Sequence, residues 1–141
     1  MLEFLERYQV KGEFSLGLNE NLNDQCNAPR KWSGIYLVFA KKIQLNHLIY
    51  IGISGRKGPN GKIIHRSDGI GGRIVKGKQF GEARRNSWQK QMRLAGFDRI
   101  YIKWYVTHGE VDIDFPREIE HDLLTKFHEA SGQLPLWNKS F

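Results

Sequence analysis

Chemistry-bearing residues cluster first in "GIYLVFAKKIQLNHLIYIG", residues 34–52, where Tyr36 and Tyr50 each stand in a glycine-edged triplet, Gly34-Ile35-Tyr36 and Tyr50-Ile51-Gly52. A phenol hydroxyl can hold a phosphate oxygen or a water. It serves as a base only where cations bring its pKa down from about 10. Cross-strand aromatic packing is the simpler role for such a pair. A second signal is a carboxylate in "FPREIEHDLLTKFHEAS". With a step of about 100° per residue from Ile119, Leu123, Phe127, Leu124 and Ala130 form one apolar stripe, and Glu120 falls inside it at about 100°. Glu118, Asp122 and Glu129 fall on the opposite, solvent-facing side. An ionised carboxylate within an apolar stripe is costly unless it is paired or binds a metal. Glu120 therefore pairs with an arginine, lies at the wet end of the stripe, or faces a cleft as an oxygen ligand for Mg²⁺.

The elements that position these residues follow from period two and period 3.6. In "GIYLVFA", Ile35, Leu37 and Phe39 point one way and Tyr36 and Val38 the other. In "LIYIGI", Ile49, Ile51 and Ile53 share a face opposite Tyr50 and Gly52. With the isoleucine faces taken as core and no bulge, both tyrosines stand together on the other face of adjacent strands. Residues 54–72 read as a basic glycine-rich loop, with a short helix near "RIVKGKQF". A longer helix follows in "EARRNSWQKQMRLAG", with Trp88, Met92 and Ala95 on its apolar stripe and Gly96 as its stop. In the strand "RIYIKWYVT", Ile100, Ile102, Trp104 and Val106 alternate with Tyr101, Lys103 and Tyr105. The last helix starts near Asp114, holds Pro116 in its first turn and runs to about Ser131. Residues 1–30 read as an N-terminal extension, a short helix in "LEFLERY" and a loop in "NENLNDQCNAP", with the functional domain over 31–141. The expected fold class is α+β, a small three-stranded, mostly antiparallel sheet flanked by helices.

Composition narrows the partner. The 141 residues suit one domain, and a net charge of +7 with a pI of about 9.6 favours a polyanion. One cysteine, Cys26, makes no internal disulfide, and no Cys/His cluster has zinc spacing. Acidic residues near the start do not suit a signal peptide, and no stretch reaches the length of a membrane span. These readings predict an intracellular location, cytoplasmic or nucleoid-associated, not secreted. "GRKGPNGKI" lacks a Walker motif's first glycine and its Ser/Thr, with Arg56 and Ile63 standing there, so no nucleotide cofactor is expected.

Together, the two triplets on consecutive strands resemble the signature of the GIY-YIG nucleases. The resemblance extends over residues 32–138: Arg73 in "GGRIV" on the following helix, Glu120 before an aliphatic pair in "EHDLL", and Asn138 after a proline in "PLWN". It implies a metal-dependent endonuclease that hydrolyses DNA phosphodiesters by in-line water attack. Tyr36, Tyr50, Arg73, Glu120 and Asn138 would be its catalytic residues, with Glu120 holding Mg²⁺, for which Mn²⁺ substitutes. By the same resemblance, Arg73 neutralises charge on the phosphate, Tyr36 orients or deprotonates the water, Tyr50 holds a phosphate oxygen or the water, and Asn138 orients Tyr50 or Glu120. Arg66 competes for the arginine role. Several family members carry a histidine four residues after the arginine, where this chain has Gly77 between Lys76 and Lys78. Candidate nucleic-acid contacts are Lys76, Lys78, Arg66, Arg84, Arg85 and Lys103. DNA is the expected partner, with no membrane; a homodimer is left open. The alternative is a GIY-YIG module that binds nucleic acid without cleaving it.

Overall fold

Period-two alternation becomes a sheet, as expected, but with one strand more. The computed structural model describes residues 2–141. In chain order its elements are β1 (Lys11–Gly17), α1 (Leu22–Gln25), β2 (Ser33–Ala40), β3 (Leu48–Ser54), β4 (Arg56–Lys57), β5 (Ile63–Ile64), α2 (Gly69–Lys76), β6 (Lys78–Gln79), β7 (Glu82–Ala83), α3 (Arg84–Ala95), β8 (Arg99–His108) and α4 (Pro116–Ser131). The fold is α+β. Its antiparallel sheet has four strands in the order β1-β8-β2-β3, and β4–β5 and β6–β7 are small hairpins outside it.

The expected three-stranded sheet is thus corrected by β1, which lies within the presumed N-terminal extension and pairs with β8 from Lys11↔Tyr105 to Gly17↔Arg99. It is an edge strand with few apolar residues. Leu16 is buried and Phe14 is partly buried against the same core. Gly12 leaves room for the Trp104 indole, which a β-carbon there would approach to 2.5 Å. The stretch "LEFLERY" forms a 3-10 turn over Glu3–Arg7 that buries Leu5. Tyr8 follows it, and its hydroxyl donates to Asp114 Oδ2 at 2.6 Å, tying the N-terminal segment to the approach to α4.

Both faces of the sheet are covered. Tyr36, Val38, Ile102 and Trp104 pack with Ile70 and Ile74 of α2 and with Trp88 and Met92 of α3. On the other face, Ile35, Leu37, Ile51 and Tyr105 pack with Ile119, Leu123 and Leu124 of α4. Strand β2 is buried along its whole length. The tyrosine face is therefore not the open side of the sheet; it carries a core of its own. A register shift passes from Val38↔Tyr50 to Phe39↔Leu48, skipping Ile49, and this bulge turns Ile49 onto the tyrosine face. Helix α2 starts at Gly69, earlier than expected, and ends at Lys76, so "KQF" enters the β6–β7 hairpin instead. Helix α4 begins on Pro116 and stops at left-handed Gly132, as its sequence indicates. Among the described residues, no helix is long and apolar enough to cross a membrane.

If β1 belongs to the core, truncating its buried leucine should cost as much as any core deletion. Leu16→Ala should lower unfolding stability by about 2–5 kcal/mol in denaturant titrations. A loss under about 0.5 kcal/mol, the usual range for surface positions, would place β1 outside the cooperative unit.

Candidate active site

Helices α2 and α4 reach β3 from opposite faces of the sheet, and a cleft of about 500 Å³ opens beside that edge strand. Tyr50 and Ile53 of β3, Arg73 of α2, Glu120 of α4 and Asn138 of the C-terminal segment line it, with Arg66 from the loop before α2. A second hollow of about 400 Å³ shares Arg56, Arg66 and Arg73 and adds His65 and Lys76. Four of the five expected catalytic residues thus meet on one wall, and both Arg66 and Arg73 stand there.

The fifth, Tyr36, lies beneath that wall. It pairs across the ladder with Gly52, and Val38 pairs with Tyr50. A β-carbon on Gly52 would lie 2.3 Å from Tyr36 Cζ, so the ring needs a glycine opposite it. A β-carbon on Gly34 would lie 1.9 Å from the Tyr105 carbonyl oxygen on β8. The glycines of both triplets are therefore demanded by close neighbours. The two tyrosine rings stand with centroids 6.0 Å apart and planes tilted by 50°. Tyr36 is 0% exposed, and its hydroxyl has no hydrogen-bond partner. Burial pushes its pKa up to about 12, outweighing the opposing charges of Arg84 and Arg73. The sequence reading asked cations to lower this phenol; desolvation wins instead.

Arginines surround the pair. Arg73 Nε is buried without a partner. Burial first, then the charges of Arg73, Arg84 and Arg56, hold the Arg66 pKa below its usual range. Arg84, a candidate nucleic-acid contact by its sequence, is 1% exposed. It donates from Nε to Gln79 Oε1 (3.1 Å), from Nη1 to the Arg73 carbonyl (2.7 Å) and from Nη2 to the Tyr50 hydroxyl (3.4 Å). One signal was available: Arg84 stands four residues before Trp88 and eight before Met92, on the buried stripe of α3. Ala95, expected on that stripe, is exposed. Among the described residues, Arg56, Arg66, Arg73 and Arg84 have no carboxylate within ion-pair distance.

Against this positive field stands one acid. Glu120 is half-buried, and among the described residues it has no hydrogen-bond or ion-pair partner and is the only acidic side chain on the cleft wall. Burial raises its pKa, with the Arg117 and His121 charges pulling the other way. An unpaired carboxylate in a cleft fits a hard divalent ion that fills its other positions with water and substrate oxygens. Asn138 behaves differently from expectation. Its Oδ1 accepts from the Ile51 N–H at 2.9 Å and its Nδ2 donates to the Ile51 carbonyl at 3.0 Å, while Trp137 N–H donates to the Ile49 carbonyl at 2.7 Å. Asn138 therefore holds the backbone of β3 rather than the Tyr50 or Glu120 side chain.

The remaining candidates are scattered. Lys76 lines the second hollow and pairs with Asp68. Lys78 is exposed on β6, off both walls. Arg85 lies in hollows beside Asn21 and Gln89, and Lys103 pairs with Glu6 at 3.3 Å on the β1 side of the sheet. Tyr105, beside Lys103 on β8, is buried in the core under α4. Set against known proteins, no family model, curated protein or solved structure matches the chain.

Glu120 gives this geometry a pH signature. Its folded-state pKa lies above that of the unfolded chain, so ionising it in the fold opposes folding as pH rises through the interval between the two. Glu120→Gln should raise the melting temperature at neutral pH without divalent ions, and the gain should vanish below the ordinary glutamate pKa of about 4.3. A gain that persists at low pH, or a lower melting temperature throughout, would contradict the burial argument.

Proposed function

We propose that the chain is a divalent-metal-dependent endonuclease that hydrolyses DNA phosphodiesters at the β3-edge cleft. One observation carries the reading: a cleft lined by guanidiniums without carboxylate partners holds a single acidic side chain, the unpaired Glu120. Such a field suits a substrate with its own negative charge and a cation brought to Glu120. The resemblance of the two triplets, Arg73, Glu120 and Asn138 to the GIY-YIG nucleases supports the same reading, as does a net charge of +7.

A bound Mg²⁺ or Mn²⁺, held by Glu120, would supply Lewis-acid stabilisation of charge on the scissile phosphate. Arg73 offers a planar fork to the phosphate oxygens, and its unpartnered Nε is a donor still to be satisfied. Arg66, on the same wall, adds a second guanidinium to that charge. Tyr50, on the wall itself, is placed to hold a phosphate oxygen or to orient the attacking water. Tyr36, closed off beneath it, supports Tyr50 instead of meeting the water. Asn138 fixes the strand that carries Tyr50. The closed, high-pKa Tyr36 favours a second reading, a module that binds nucleic acid without cleaving it.

Incubating the protein with plasmid, branched and single-stranded DNA, with and without Mg²⁺ or Mn²⁺, separates the two. The nuclease reading predicts metal-dependent strand breaks, lost in Glu120→Ala with DNA binding retained. Arg73→Ala should slow cleavage by about 10²–10³-fold. Salt-sensitive binding with no break under any ion would support the second reading, and full cleavage by Glu120→Ala would remove Glu120 from the metal site.

A further inference from the structure

Arg84 is a buried cation with no anion beside it. All of its hydrogen-bond partners are neutral: the Gln79 side chain, the Arg73 carbonyl and the Tyr50 hydroxyl. Its guanidinium carbon also stands 5.5 Å from the Tyr36 ring centre, 5.8 Å from that of Tyr50 and 5.6 Å from that of Trp88. Aromatic faces and neutral acceptors soften the cost of burying this charge but leave it uncancelled.

Space for the guanidinium is kept open by one residue. A β-carbon on Gly77 would fall 2.1 Å from Arg84 Nη1 and 2.5 Å from the Arg73 carbonyl oxygen. The Gly77 backbone has φ −63° and ψ 154°, a conformation open to any residue, so the glycine is there for room rather than for flexibility. Gln79 completes the seat, because its Oε1 accepts from both Arg84 Nε and Trp88 Nε1. The result is a built connection: α3 supplies the cation, the last turn of α2 receives it, and the tyrosines of β2 and β3 lie against it.

We propose that Arg84 is a positioning residue of this cleft, a buried guanidinium seated in the space left by Gly77 that holds Arg73 and the tyrosine pair together and sets positive charge behind the substrate phosphate. The inference rests on the nuclease reading and replaces the nucleic-acid contact expected of Arg84 with a positioning role. By donating to the Tyr50 oxygen, Arg84 leaves the Tyr50 proton free to point elsewhere, toward a phosphate oxygen or a water in the cleft. By holding the Arg73 carbonyl, it fixes the turn of α2 from which the Arg73 side chain reaches the wall.

The test compares wild type, Arg84→Ala, Arg84→Lys and Gly77→Ala in Mg²⁺-dependent plasmid cleavage and in DNA binding without metal. Arg84→Ala should lower kcat by about 10²-fold. Its DNA affinity and salt dependence should stay unchanged, because the guanidinium lies behind the wall and does not touch the backbone. Added methylguanidinium should restore much of that rate, and methylurea, of the same shape but uncharged, should not. Arg84→Lys should retain more activity than Arg84→Ala. Gly77→Ala should repeat the loss with Arg84 still present, which covers the case in which Arg84→Ala does not fold. Equal rescue by methylurea, or a fall in DNA affinity as large as the fall in kcat, would overturn the proposal by reducing Arg84 to packing or to a phosphate contact. Wild-type cleavage with no loss in Arg84→Ala sinks the proposal and leaves the nuclease reading standing. Wild type that cleaves nothing sinks both.

Discussion

The Tyr36 ring packs close against β3 because Gly52, its partner in the ladder, has no side chain. Much of the cleft depends on that close approach. It brings the Tyr36 ring to 6.0 Å from that of Tyr50, and it lets the Arg84 guanidinium settle over both. Strand β2 can carry a tyrosine inward only because both of its faces are buried, one under α2 and α3 and the other under α4. Any β-carbon at position 52 would push the ring off the strand and open the stack on which Tyr50 rests. The wall would then lose its shape without losing any residue that lines it.

Charge is the second organising feature. Guanidiniums from the loop before α2, from α2 and from α3 converge on one strand edge with no carboxylate paired to them. Elsewhere the chain pairs its charges in the ordinary way, as in Arg99 with Glu20 or Lys90 with Glu82. The convergence is therefore local, and it coincides with a buried hydroxyl and a buried Nε that have no partner of their own. Orphaned buried donors of this kind cost about 1–3 kcal/mol each unless something satisfies them.

Much of this was legible in the residues. Period two placed β2, β3 and β8 and put Tyr36 and Tyr50 on a common face; period 3.6 singled out Glu120 from the other acids of α4. Three things were not legible, each for a physical reason. Strand β1 is an edge with little apolar content, and its Gly12 reads as a loop residue until the Trp104 indole is seen lying on it. The bulge at Ile49 changes which face that side chain takes, and no period reveals a skipped residue. The role of Arg84 depends on where α2 and α3 meet in space, although its position on the Trp88–Met92 stripe was a readable hint of burial. Asn138 lines the cleft, and only the fold shows that its amide grips the backbone of β3.

At the centre stands the claim that water attacks a phosphodiester in the cleft between Arg73 and Glu120. Cleavage of plasmid in heavy-oxygen water, with the product ends analysed by mass, tests it most directly. The account predicts metal-dependent breaks whose terminal phosphate carries one solvent oxygen. Intact plasmid under every divalent ion, or broken ends without solvent oxygen, would contradict it.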